Sequence, residues 1–93
     1  MASISTSTPT IAQLRAFLAV AAHLHFREAA NSLRMSQSAL SSAVSSLEET
    51  LGTQLLERTT RKVLLTPAGA RVAMHATRVL RAMDDLIYGA ARS

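Results

Sequence analysis

A run of apolar residues near the C-terminus constrains this chain more than any other feature. Val72, Ala76, Val79, Met83, Leu86 and Ala90 recur at spacings of 4, 3, 4, 3 and 4, an unbroken heptad seam, and Leu80 and Ile87 widen it. Thr66 ahead of the run is a helix cap, and Pro67 takes the first helical position, where its missing amide costs nothing. The pattern predicts one long helix over 67–91. In a chain of 93 residues the rest of the body is too small to cover the whole face of such a helix. Part of the seam must meet another chain. Val72, Ala76, Val79, Met83 and Leu86 are the candidate dimer interface.

Upstream, the apolar residues mark three shorter helices. Residues 1–9 are mostly small and hydroxylated and are expected to form a disordered tail. Thr10 and Gln13 have the spacing of a capping box, and Ile11, Leu14, Phe17, Leu18 and Ala21 then share one face, so a first helix is expected over 11–22. After His23, Leu24 and His25, a second helix is expected over 27–33 with Ala29, Ala30 and Leu33 inward. Arg34, Met35 and Ser36 leave room only for a tight turn, with Ser36 as the next cap. A third helix over 37–51 turns Leu40, Val44, Leu47 and Leu51 to the core and ends at Gly52. Leu55 to Glu57 and Val63 to Leu65, on either side of a charged loop, suggest a small hairpin.

Composition narrows the function. The chain is 48% apolar but only 3% aromatic, a helix-leaning set, and its length excludes barrels and doubly wound enzyme folds. It has no cysteine, so thiolate catalysis and cysteine zinc sites are excluded. Three histidines (His23, His25 and His75) without a carboxylate cluster make a poor metal site, and no cofactor is expected. Glu48–Glu49 and Asp84–Asp85 are adjacent on helices and point apart, so neither is a catalytic dyad. The serines lack a nucleophile elbow, so no enzyme activity is expected. Nothing resembles a signal peptide or a membrane span, which makes a cytoplasmic domain the expectation.

Charge is unevenly placed. In residues 1–57 three arginines meet four glutamates, a net of −1, whereas in 58–93 seven basic residues meet two aspartates, a net of +5. A basic half points to a polyanionic partner. Helix, short helix, three-residue turn, helix and basic hairpin is the order of a winged helix-turn-helix, mainly α, with the long helix appended. The third helix presents Ser38, Ser41, Ser42 and Ser45 opposite its core face, small side chains suited to the close approach of another body. Two other readings stand beside DNA binding. One is a helical dimerisation module whose basic wing binds an acidic protein; the other is adsorption of the long helix to a membrane surface, which Asp84, Asp85 and the lack of Trp weaken.

The residues also carry a resemblance. Alanines 29–30, SQSALS at 36–41, LE at 47–48, LG at 51–52, LLER at 55–58 and T-x-A-G at 66–69 together strongly resemble the N-terminal domain of LysR-type transcriptional regulators, over about residues 10–90. HLHFREAA and LLERTTRKVLLT resemble the peroxide-sensing OxyR branch of that family. The resemblance implies a DNA-binding body over 10–66, a linker helix over 67–91 that pairs with its copy, and a dyad-symmetric promoter site. It also implies a longer regulator, with an effector-binding domain beyond this sequence and a higher oligomer formed with it. It places Gln37, Ser38, Ser41 and Ser42 toward the DNA groove, with Ser36 opening the helix. Helix 3 contains no Lys or Arg, so Arg34, Arg58, Arg61 and Lys62 are expected to supply the electrostatic grip. Many relatives carry proline at the Ser38 position and a longer side chain at Ser42, so much of the specificity here is expected from DNA shape.

Overall fold

In a computed structural model that describes residues 8–59 and 61–92, α1 (Ile11–His23) lies at the centre and packs against α2 (Phe26–Leu33), α3 (Gln37–Leu51) and α4 (Pro67–Ala91). Strands β1 (Leu56–Arg58) and β2 (Val63–Leu65) form an antiparallel hairpin between α3 and α4. The fold is the expected mainly α winged helix-turn-helix with a long C-terminal helix. The first seven residues of the expected tail lie outside the described residues.

The helix boundaries follow local chemistry. Thr10 and Gln13 close their capping box through two hydrogen bonds, Gln13 N to Thr10 Oγ1 at 3.0 Å and Thr10 N to Gln13 Oε1 at 3.1 Å. Helix α1 runs one residue past the expected end, stopping where Leu24 takes the left-handed conformation at φ 52°. Helix α2 opens at Phe26, one residue early, because His25 is its cap: His25 Nδ1 accepts the Glu28 amide at 3.3 Å. The turn into α3 is set by Arg34, also left-handed at φ 56°, with the Met35 amide returning to Ala30 O at 2.9 Å. Ser36 Oγ caps α3 by accepting the Ala39 amide at 3.0 Å, and Gly52 ends it at φ 68°.

The core is apolar throughout the described residues and is built from Phe17, Val20, Leu40, Val44, Leu47, Leu55 and Leu56. Ala29 and Ala30 are buried, as their small size at a close helix contact requires. Ile11, Leu18 and Leu33 pack against this core as expected, though each is only partly buried. Ala16 and Val20 join the core from α1 beyond the expected face. Leu51, expected in the core, is instead exposed and lines an apolar groove with Ile11, Leu14, Val72, Ala76 and Val79.

Several of the sequence motifs are joints in this framework. Glu48 Oε2 accepts the amides of Leu55 and Leu56 at 2.8 and 3.2 Å and so anchors the entry to the hairpin on α3. Thr66 Oγ1 donates to Gln54 O at 2.7 Å and accepts from Gly69 N at 2.9 Å, tying the start of α4 to the same segment. Gly69 is needed because a Cβ there would collide with the Leu55 carbonyl oxygen. These joints set the hairpin beside α3.

Candidate nucleic-acid interface

One groove joins the start of α3 to the hairpin. Gln37, Ser38 and Ser41 line one wall, Arg58, Thr59 and Val63 the other, and Phe26 lies between them. A second groove continues from it over Gln37 to Arg61 and Lys62, with His25 and Arg27 at the start of α2 on its other side. The wall from α3 is uncharged and can exchange hydrogen bonds; the wall from the hairpin is cationic. A bonded hydroxyl shapes the wing tip: Thr59 Oγ1 accepts the amides of Arg61 and Lys62 at 3.2 and 2.9 Å, and Thr59 N donates to Lys62 O at 2.9 Å. These bonds hold Arg61 and Lys62, both exposed, close to Thr59.

The structure thus brings Gln37, Ser38, Ser41, Arg58, Arg61 and Lys62 together. Arg34, Ser36 and Ser42 do not line these grooves. Arg34 is exposed at the turn, Ser42 is exposed one helical turn beyond Ser38, and the Ser36 hydroxyl serves the helix cap. Phe26, Arg27 and Thr59 are groove residues that the sequence reading left out of the site. Only Phe26 carried a usable signal, as one of the few aromatic side chains in the chain. Arg58 is exposed but lies against α2, its guanidinium carbon 4.5 Å from the centroid of the Phe26 ring.

The long helix behaves differently along its length. Ala76 is 2% exposed and Val72 is partly buried, both packed on the protomer's own core. Ala76, expected at the dimer interface, is buried within the single protomer, at the floor of the apolar groove that Leu51 and Val79 also line. Val79, Leu86, Ile87 and Tyr88 are 44, 65, 59 and 67% exposed, and Met83 is half-buried. The seam thus begins as core and continues as an uncovered apolar stripe. Among the described residues no helix is long and apolar enough to cross a membrane.

The model of the bacterial regulatory helix-turn-helix proteins of the lysR family matches residues 11–70. The chain belongs to that family. It is 65% identical over 79 residues to a probable hydrogen peroxide-inducible genes activator of Streptomyces viridosporus, covering 85% of this chain and 25% of that protein. Among solved structures, the oxidized form of Corynebacterium glutamicum OxyR superimposes with a TM-score of 0.89 at 44% identity, over 95% of this chain and 27% of that one. The BenM DNA-binding domain in complex with catB site 1 DNA gives a TM-score of 0.86 at 37% identity, over 89 and 92% of the two chains. This LysR-family chain spans about a quarter of the length of the probable hydrogen peroxide-inducible genes activators of Streptomyces viridosporus and Mycobacterium avium that it resembles.

Proposed function

We propose that this LysR-family chain binds double-stranded DNA sequence-specifically, as the DNA-binding part of a transcription regulator. Residues 10–66 form the DNA-binding body, and 67–91 the dimerisation helix. The observation that carries the reading is the groove itself: an uncharged, hydrogen-bonding wall from the exposed start of α3 faces a cationic wall from the wing. An α-helix fits the major groove, where glutamine can pair with adenine and serine can donate or accept. Arg34, Arg58, Arg61 and Lys62 bind phosphate or reach the minor groove, while Gln37, Ser38, Ser41 and Ser42 face base edges. The site works by binding and positioning rather than by catalysis.

The uncovered stripe on α4 supports a homodimer, with Val79, Met83 and Leu86 meeting their copies beside Val72. A two-fold axis between the protomers makes the target dyad-symmetric, with half-sites one helical turn apart or a multiple of it. The resemblance to hydrogen peroxide-inducible genes activators supports a target among promoters of peroxide-responsive genes, and we propose a cytoplasmic regulator whose whole chain forms a higher oligomer. The test is a titration of the chain onto a duplex it has enriched from a random pool, repeated across salt concentrations. Affinity is expected to fall steeply with salt, because each phosphate contact releases a counterion. Flat or absent binding would refute the proposal, and capture of an acidic protein in its place would favour the interaction-module reading.

A further inference from the structure

We infer that Phe26 is a positioning residue: its ring holds Arg58 beside the recognition helix, so that Arg58 acts with α3 while Arg61 and Lys62 act from the wing tip. The inference rests on the DNA-binding reading above. The three basic residues look equivalent in sequence, as one cluster on one loop. The strand register separates them. Leu56 pairs with Leu65, Glu57 with Leu64 and Arg58 with Val63, and paired residues in an antiparallel ladder share a face. Leu56 is buried while Glu57 and Leu64 are exposed, so the face that holds Arg58 is the one turned to the helices. Arg61 and Lys62 lie beyond the strands, in the turn closed by Thr59.

Arg58 leaves the strand toward Phe26, and its guanidinium carbon sits 4.5 Å from the ring centroid, well inside the range of a cation–π contact. Phe26 is itself fixed, half-buried as the first residue of α2 behind the His25 cap. The same ring and the same arginine line the groove with Gln37, Ser38 and Ser41. No carboxylate forms an ion pair with Arg58 among the described residues, and a ring attracts the cation without neutralising it. Arg58 therefore keeps its charge for a polyanion while losing much of its rotamer freedom before binding. That lowers the ordering cost when DNA arrives. Among the described residues Arg61 and Lys62 have neither a ring contact nor an ion pair, so they meet DNA as mobile charges.

The experiment compares variants of the chain on the enriched duplex and on a scrambled one, each across salt. Arg58→Lys keeps the charge and loses the planar group, and is expected to weaken binding to the enriched duplex roughly 3- to 10-fold with the salt slope unchanged. Phe26→Leu should weaken it by a similar factor in the native background and leave an Arg58→Ala background unchanged. Phe26→Tyr, which keeps a ring face, should bind like the native chain. A general structural role for Phe26 predicts the same loss in both backgrounds, and that result would overturn the inference. So would native affinity in Arg58→Lys, an exposed substitution that decides the matter even if Phe26→Leu fails to fold. A native chain that binds no duplex overturns the DNA-binding reading and this inference together. Steep, salt-dependent binding with no coupling between Phe26 and Arg58 overturns this inference alone.

Discussion

Gly69→Ala sets two physical rules against each other. On helix propensity alone, alanine for glycine inside a helix stabilises by about 1 kcal/mol. The packing around Gly69 predicts the opposite sign. A Cβ at this position would collide with the Leu55 carbonyl oxygen and lie 3.0 Å from its carbonyl carbon and 3.3 Å from its Cα. These are backbone atoms and cannot swing aside. Leu55 is fully buried, its amide is held by Glu48, and its carbonyl accepts the Thr66 amide at 3.0 Å. Helix α4 must therefore move outward, straining or breaking the joint with the hairpin. Overpacking costs about 1–3 kcal/mol, and a lost hydrogen bond adds about 1 kcal/mol. After the propensity gain, a net loss of about 1–3 kcal/mol is expected. Gly89→Ala is the control. A Cβ there meets nothing within 4 Å, so propensity acts alone and stability should rise by up to about 1 kcal/mol. Urea unfolding followed by circular dichroism measures both, at one fixed chain concentration because dimerisation shifts the midpoint. A Gly69→Ala midpoint at or above the native value would refute the close-approach argument.

Four other outcomes are expected. Glu48→Ala removes the acceptor of two amides at the hairpin entry and should cost about 1–3 kcal/mol in the same unfolding assay, an unchanged midpoint meaning that water replaces the carboxylate. Arg34→Gly relieves a left-handed arginine at φ 56° and should stabilise by up to about 1 kcal/mol while weakening DNA binding; a fall in stability would contradict the strain argument. Arg61→Ala should weaken binding to all duplexes and make the salt slope shallower by about 0.9, one counterion, whereas Gln37→Ala should keep the slope and cost about 1–3 kcal/mol on the preferred site only. Equal losses on both duplexes for both variants would show that α3 is not the reader. Leu86→Asp places a charge on a residue that is 65% exposed in the protomer, so sedimentation should show a folded monomer, and an intact dimer would move the interface elsewhere.

What the sequence determined by itself is what local rules control. Helix starts at Thr10, Ser36 and Thr66, the stop at Gly52 and the long α4 were all legible, because caps and apolar spacing act within a few residues. The serine face of α3 and the basic wing were legible too, because side-chain chemistry can be read without coordinates. Tertiary structure decided the rest. Periodicity marks a stripe on α4 but cannot divide it, and the fold assigns Ala76 to the protomer's core while leaving Leu86 uncovered. Composition groups Arg58 with Arg61 and Lys62, and only the strand register and the packing of the hairpin lay the exposed Arg58 side chain on Phe26. Gly69 enters the sequence reading only as part of T-x-A-G, and its reason, the Leu55 carbonyl against it, is visible only in the fold. In each case the deciding partner is remote in sequence or set by strand register, so no window of adjacent residues contains it.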